Sequence, residues 1–87
     1  MESIATPEFW EMYHQLPKHV RLLAVKAYRL WSENHYHPSL HFKKLQGYDT
    51  VYAVRISRSW RAVGVVEQGT IYWQWIGSHA EYDELFG

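Results

Sequence analysis

The hydrophobic pattern of this chain changes its period once, close to Asp49. Before that point apolar residues recur at steps of three and four, which is the period of a helix buried on one side, whereas β-branched and aromatic residues dominate after it. A chain of 87 residues can seldom bury two separate cores. The helices and strands on either side of the change are therefore expected to pack on each other in one domain, residues 1–87.

Two helices are predicted in the first part of the chain. Thr6 and Pro7 are typical of the N-cap and first residue of a short helix, which is expected to end near Leu16. Pro17 then begins a second, longer helix that runs to about Asn34. Its predicted buried stripe comprises Val20, Leu23, Ala24, Ala27, Leu30 and Trp31.

Three strands are predicted in the second part, at residues 51–56, 60–67 and 71–76. Gln68 and Gly69 favour a tight hairpin turn between the last two strands. Gly77 is expected to end the last strand, and residues 78–86 to form a short tail or a final turn. The predicted fold class is α+β, with two N-terminal helices packed on a three-stranded antiparallel sheet.

The net charge is zero, but the charges are unevenly distributed. All nine Lys and Arg lie between Lys18 and Arg61, where the only acids are Glu33 and Asp49, so this block carries a net charge of +7. The two ends of the chain are acidic. A basic block of this kind can bind a polyanion even when the whole protein is neutral.

The chain has no cysteine, which excludes disulfides and thiolate chemistry and suits a reducing compartment. The first residues, MESIATPEFWEM, carry acids where a secretory signal carries basic residues. No apolar stretch approaches the length of a membrane span. A cytoplasmic location is the expectation.

Four segments carry a resemblance that covers the chain from about Trp10 onward: LPKHVRLLAVKAYRLW, HPSLHFKKLQG, VYAVRISRSWRAVGVV and IYWQWIGSHAEYDELF. In this order and spacing they resemble the RelE/ParE superfamily, the toxic halves of type II toxin–antitoxin pairs. The resemblance implies two helices against an antiparallel sheet and a cognate antitoxin protein as partner. Many members begin with an additional strand. Here Thr6 and Pro7 follow Met1 too closely for a full strand, so a different sheet edge is expected.

The superfamily divides in function. RelE-like and HigB-like members cut mRNA, usually on the ribosome and without metal or cofactor, whereas ParE-like members poison DNA gyrase and lack the nuclease residues. The resemblance favours a metal-independent, ribosome-dependent mRNA endonuclease (an mRNA interferase) with no cofactor. The alternatives are a ParE-like gyrase inhibitor and a fold relative that has lost toxicity and only binds a partner.

Metal-free RNA cleavage needs a base for the 2′-OH, cations for the phosphorane and an acid for the 5′ oxygen. The match to nuclease members makes Lys44, Arg61 and His79 the predicted catalytic residues. The predicted RNA-binding residues beside them are Lys43, Arg55, Glu81 and Tyr82. Each of these residues also has a purely structural alternative. The two lysines could be a solvated pair and the two arginines cross-strand partners. His79 and Glu81 could lie in a surface turn, with Tyr82 anchoring the tail.

A second cluster, His35, His37 and His41, has the pattern HxHxxxH. A zinc site usually needs defined strand or helix spacing, and no cysteine or carboxylate lies nearby in sequence. We therefore predict no metal, and a turn in which His37 or Ser39 bonds the backbone.

The last predicted strand carries Trp73 and Trp75, which by strict alternation share one face with Ile71. A base-stacking platform is one interpretation of such a face. Because a small domain needs large side chains in its core, we predict that this face is buried.

The outer arc of the second helix mixes cations with apolar residues: Lys18, Arg21, Leu22, Val25, Lys26 and Arg29. An acidic amphipathic antitoxin segment could lay its apolar face on the two aliphatic residues and pair with the cations around them. The alternative is a solvated helix face whose two aliphatic residues pack against the first helix.

Overall fold

The structure, a computed structural model that describes residues 1–87, contains three helices and one five-stranded sheet. The strands are β1 (Glu2–Ala5), β2 (Lys43–Lys44), β3 (Val51–Ser57), β4 (Trp60–Glu67) and β5 (Thr70–Ser78). The helices are α1 (Pro7–His14), α2 (Lys18–Glu33) and α3 (His79–Phe86), and a 3-10 turn spans Pro38–Leu40. The predicted α+β class is confirmed, with a larger sheet than expected.

The predicted meander is confirmed at the centre of the sheet. The strand order is β1-β5-β4-β3-β2, and β3, β4 and β5 pair antiparallel in chain order, so β4 is central. The β4–β5 turn places Gln68 at φ 48° and Gly69 at φ 80°, as a two-residue hairpin turn requires. Arg58 and Ser59 form the β3–β4 turn. Gly77 lies inside β5, so the prediction that it ends the strand is wrong.

At one edge of the sheet, the prediction that Thr6 and Pro7 follow Met1 too closely for a full strand is wrong. Strand β1 pairs parallel with β5, with Ser3 opposite Ile71. The indole Nε1–H of Trp73 donates to Ser3 Oγ at 2.9 Å, and the Thr6 hydroxyl donates to the Trp73 carbonyl at 3.0 Å. Four extended residues before Thr6 are therefore enough for a strand, because the edge of β5 and these two hydrogen bonds fix them in place.

The helices begin much as predicted. Thr6 Oγ1 accepts a hydrogen bond from the Phe9 amide at 3.2 Å, and Pro7 is the first residue of α1. Helix α2 buries Val20, Ala27 and Trp31. Leu23, predicted in the buried stripe, is 37% exposed. None of the three helices is long and apolar enough to cross a membrane.

The C-terminal segment is a helix, and the prediction of a tail or turn is wrong. Ser78 and Glu81 form a capping box, in which Ser78 Oγ accepts from the Glu81 amide at 3.1 Å and Glu81 Oε1 accepts from the Ser78 amide at 3.1 Å. The box pairs two amides that a helix start otherwise leaves without partners. It fixes the direction in which α3 leaves β5.

Side chains pack on both faces of the sheet. On the helix face, α1 and α2 cover a core whose buried members are Ala27, Trp31, Leu40, Phe42, Val54, Ala62, Ile71, Trp73 and Ile76. On the far face, α3 covers a smaller cluster of Leu45, Ala53 and Val63, against which Val51, Trp75, Tyr82 and Phe86 pack half-buried.

The tryptophans of β5 lie on opposite faces of the sheet. Val63 is opposite Trp75 and Gly64 is opposite Trp73, so Gln74 is an extra residue that forms a β-bulge. A shift of one residue moves the following side chains to the other face. The prediction that the two rings share a face is therefore wrong, although Trp73 is buried in the core.

Gly64 is the point where β4 accommodates this bulge, and we expect Gly64→Ala to destabilise the fold by about 1–3 kcal/mol through overpacking. A Cβ there would lie 2.8 Å from Cγ1 and 2.9 Å from Cδ1 of Ile71, and 3.0 Å from Cε3 of Trp73. Thermal unfolding measures the effect. An unchanged melting temperature for Gly64→Ala would contradict this packing.

Candidate functional site

A cleft of about 660 Å³ opens where the β3–β4 turn meets the start of α3. It is lined by His41, Arg55, Arg58, Ser59, Arg61, Ser78, His79 and Ala80. Three of these residues are arginines, two are histidines and none is acidic. The predicted residues Arg55, Arg61 and His79 thus lie together, and the cleft suits an anionic ligand.

The centre of the cleft is a pair of like charges. Arg55 on β3 lies directly opposite Arg61 on β4. Their chain neighbours Val54 and Ala62 belong to the helix-face core, so both arginines project from the far face of the sheet. Like charges directly opposite each other destabilise a sheet. An anion between the two guanidinium groups would remove that repulsion.

The β3–β4 turn holds one edge of the Arg61 guanidinium. Nη1 donates to the carbonyls of Ser57 at 2.6 Å and Trp60 at 3.0 Å. The Nε–H and Nη2 hydrogens make no hydrogen bond within the chain. Arginine binds a phosphate with two parallel N–H donors, so the turn orients the group and leaves donors available.

Burial and, after it, the charge of Arg55 lower the pKa of Arg61, while Tyr82 and Asp83 act in the opposite direction. A guanidinium stays protonated in proteins despite such a shift. The second of these causes reflects the repulsion between the two opposed guanidinium groups. A bound anion would reverse the effect of Arg55.

His79 is the first residue of α3 and enters the cleft from the end of β5. Its backbone N–H donates to the Ser59 carbonyl at 2.7 Å, which fixes the helix start against the β3–β4 turn. Its Nε2 lies 3.4 Å from Asp83 Oδ1, the only ion pair of the chain, and both side chains are about half exposed. Asp83 was not predicted as a site residue, although it follows His79 by four residues, the spacing at which two side chains on a helix meet.

Two predicted RNA-binding residues have other contacts. Glu81 Oε1 is occupied by the capping box, where it also accepts from the Ser78 hydroxyl at 3.0 Å. Tyr82 is half-buried, with its ring centroid 6.3 Å from that of Trp75 and 5.6 Å from that of Phe86. Burial raises the pKa of the Tyr82 phenol, and Arg61 acts in the opposite direction. Neither residue lines the cleft.

The two lysines are separated by the register of β2. Lys43 pairs with Ala53 and Lys44 with Tyr52. Ala53 belongs to the far-face cluster and Tyr52 packs on the helix-face core, and cross-strand partners share a face. Lys43 therefore lies on the face of the arginine pair, whereas Lys44, the predicted catalytic lysine, lies on the opposite face. Neither lysine lines the cleft.

The three histidines of the HxHxxxH pattern have separate environments, and no group of three metal-binding side chains forms. His35 stacks on Trp31 with ring centroids 4.0 Å apart. His37 Nδ1 accepts from the Ser39 amide at 3.2 Å, which confirms the predicted turn. His41, at φ 45°, follows that turn and lines the cleft. Sequence reasoning missed this role because the left-handed backbone that places His41 has no signal in the residue itself.

The predicted antitoxin surface on α2 remains largely exposed. Leu22 is 62% exposed and Val25 is 41% exposed, so Leu22 is not covered by α1. Lys18, Lys26 and Arg29 are exposed. Arg21 is the exception, because its Nη1 donates to the carbonyl of Leu16, just after α1, at 3.1 Å and to that of His14, the last residue of α1, at 3.4 Å.

Solved toxin structures share this fold. The chain superposes on a RelB–RelE antitoxin–toxin complex from Methanococcus jannaschii with a TM-score of 0.75 and 18% identity, covering 97% of this chain and 99% of that one. For YafQ from Escherichia coli BL21(DE3) the TM-score is 0.68 and the identity 14%, with 99% and 98% covered. For YoeB from Staphylococcus aureus the TM-score is 0.63 and the identity 19%, with 84% and 90% covered.

At the level of sequence, no curated protein matches the chain. The model of the ParE-like toxin domain family matches residues 18–84, which include α2, the meander and most of α3. This match spans more than half of the chain. The resemblance noted in the sequence is thereby confirmed, and the chain belongs to the ParE-like toxin domain family of the RelE/ParE superfamily of toxin–antitoxin toxins.

Proposed function

We propose that this protein is the toxin of a type II toxin–antitoxin pair and that it cuts mRNA on the ribosome without metal or cofactor. One observation carries the proposal: the directly opposed Arg55 and Arg61 share a cleft with His41 and His79, and no acid lines that cleft. Such a site combines phosphate binding with groups that can give and take protons.

The arginine pair binds the scissile phosphate. As the 2′ oxygen attacks, negative charge grows on the non-bridging oxygens, and the free donors of Arg61 and Arg55 stabilise it. The N-terminus of α3 also borders the cleft, and a helix N-terminus favours negative charge. These contacts strengthen as the charge develops, which is what accelerates the reaction.

Two imidazoles divide the proton transfers. His41 accepts the proton of the 2′-OH, the 2′ oxygen bonds to phosphorus, the bond from phosphorus to the 5′ oxygen breaks, and His79 protonates the departing 5′ oxygen. The products are a 2′,3′-cyclic phosphate and a 5′-hydroxyl. His41 replaces Lys44 in the role of base because Lys44 lies outside the cleft. Asp83 orients the His79 ring through the 3.4 Å contact.

The ribosome supplies the alignment of the mRNA. The cleft is open, and both of its histidines and one of its arginines, Arg58, are exposed, so it offers little to hold a flexible RNA in line for attack. Fixing reactants in that geometry contributes much of the rate in such reactions. Free RNA is therefore cut poorly, and the working location is the cytoplasm, where translating ribosomes are.

The register of β2 predicts that Lys43→Ala lowers cleavage on ribosomes by about tenfold, whereas Lys44→Ala leaves it nearly unchanged. Lys43 shares the face of the arginine pair and adds positive potential there, while Lys44 points to the helix face. The two variants differ by one position and carry the same charge change, so each controls for the other. A larger loss for Lys44→Ala would show that the register argument does not describe the site.

The proposed activity is tested by inducing the protein in bacteria and mapping mRNA ends by primer extension, with gyrase-linked DNA breaks measured in parallel. We expect new mRNA ends within translated codons, none in an untranslated copy of the same message, and intact DNA. DNA breaks with intact mRNA would instead make the protein a gyrase inhibitor. Intact mRNA and intact DNA, with no growth defect, would make it a relative that only binds a partner.

A further inference from the structure

One arginine of the cleft has no part in the reaction proposed above. Arg58 is the first residue of the β3–β4 turn, lines the cleft and is exposed. Its guanidinium makes no hydrogen bond within the chain, and the only ion pair of the chain lies elsewhere. Because no acid lines the cleft to balance this third guanidinium, its charge is available to a ligand.

Arg58 is displaced along the cleft from the other two arginines. Arg55 and Arg61 lie opposite each other on paired strands, whereas Arg58 follows Arg55 by three residues and lies beyond the end of β3. At about 3.3 Å per extended residue, up to roughly 10 Å of chain separates these two positions. The opposed pair can therefore hold one phosphate while Arg58 reaches another part of the same RNA.

The β3–β4 turn places Arg58 at the same end of the cleft as His79. The hydrogen bond from the His79 amide to the Ser59 carbonyl, at 2.7 Å, ties the turn to the start of α3. His41 enters from the other side, because it precedes β2, which pairs with the outer edge of β3. In the proposed reaction His79 protonates the departing 5′ oxygen, so Arg58 lies on the side of the leaving nucleotide.

The surroundings of Arg58 suit a phosphate better than a base. Its neighbours in the cleft at this end are the small residues Ser59, Ser78 and Ala80, and no Phe, Tyr or Trp lines the cleft. A base that is held without sequence readout needs an aromatic ring on which to stack. A phosphate needs only the planar fork of donors that a guanidinium presents.

We infer that Arg58 binds the backbone phosphate next to the scissile one on its 3′ side, so that the message runs through the cleft from His41 towards His79 and Arg58. The identification of the ligand as mRNA rests on the proposed function, whereas a second anion site beside the arginine pair does not. The contact forms equally before and during the reaction. It therefore lowers KM and leaves kcat unchanged.

The anion site is tested without any cleavage, on a 2′-O-methyl RNA of about ten nucleotides, whose blocked 2′ oxygens cannot attack. Fluorescence anisotropy measures its affinity at several salt concentrations. Arg58→Gln should weaken binding about two- to fivefold and flatten the slope of log affinity against log salt by about 0.7, the value for one phosphate contact on a single strand. Arg58→Lys should keep the slope, and Arg29→Gln, the same charge change on exposed α2 outside the cleft, should change neither quantity. An unchanged slope for Arg58→Gln, or an equal change for Arg29→Gln, would overturn the inference.

The position of the phosphate is tested on programmed ribosomes, with a neutral methylphosphonate at the linkage 3′ or 5′ of the cleaved one. The natural protein should lose about two- to fivefold in kcat/KM on the 3′-modified message alone, and Arg58→Gln should lose nothing further there, because the contact is already absent. A loss confined to the 5′-modified message would overturn the inferred direction. If no message is cut but Arg58→Gln still flattens the salt slope, the nuclease proposal fails and the anion site stands. Normal cleavage with equal slopes would refute the role of Arg58 alone.

Discussion

Replacing Arg61 by alanine is expected to lower the rate of mRNA cleavage on programmed ribosomes by about 100- to 1,000-fold, as the loss of a donor to a developing oxyanion does in other enzymes. The guanidinium is held by the turn carbonyls and presents its free edge to the cleft beside Arg55. Without it, the charge on the phosphorane loses its main partner. Single-turnover cleavage, followed by primer extension, measures the effect.

The structural role of Arg61 must be separated from the chemical one. Its loss also frees the carbonyls of Ser57 and Trp60, and each hydrogen bond contributes about 0.5–1.5 kcal/mol to stability. Arg61→Lys keeps the charge but not the planar fork, so it should recover only part of the rate. Arg29→Ala, on α2, removes an arginine away from the cleft and should cut normally. Full activity of folded Arg61→Ala would contradict the phosphate assignment.

Replacing His79 by alanine is expected to slow cleavage by about 100- to 10,000-fold, the range for losing a general acid. The imidazole lies at the mouth of the cleft against Asp83 and is the only proton donor that α3 presents there. A substrate with a better leaving group at the 5′ oxygen, such as a 5′-thio link, needs no acid. This substrate should be cut almost equally by His79→Ala and the natural protein.

His19→Ala is the matched control, because His19 is an exposed histidine of α2 outside the cleft. It should leave both substrates unaffected. If His79→Ala loses the same factor on both substrates, His79 contributes to folding or binding and not to proton transfer.

The central part of the fold could be read from local patterns. Alternation of β-branched and aromatic residues located β3, β4 and β5, and Thr6 with Pro7 located the start of α1. The edges of the sheet could not be read this way, because β1 is a strand only through residues about seventy positions away on β5. Helix α3 did have a local signal, the Ser78–Glu81 capping box, and the apolar residues after it were too few to make the helix evident.

Only part of the candidate site could be predicted from the sequence. Family resemblance pointed to Arg55, Arg61 and His79, and the antiparallel register brings them to one cleft. The lysines show the limit of that approach, since adjacent residues of a strand face opposite ways and only the pairing of β2 with β3 decides which one joins the arginines. His41 depends on a left-handed residue after the 3-10 turn. This left-handed conformation depends on the packing of the folded chain, so the local sequence does not predict it.

The most direct test of the central claim uses two mRNAs on programmed ribosomes, identical except for one 2′-deoxynucleotide at the cleavage position. If the cleft drives attack by the 2′ oxygen, the natural mRNA is cut to a 2′,3′-cyclic phosphate and the 2′-deoxy mRNA stays intact. Cleavage of both messages at similar rates would contradict the mechanism, and cleavage of neither would contradict the nuclease function itself.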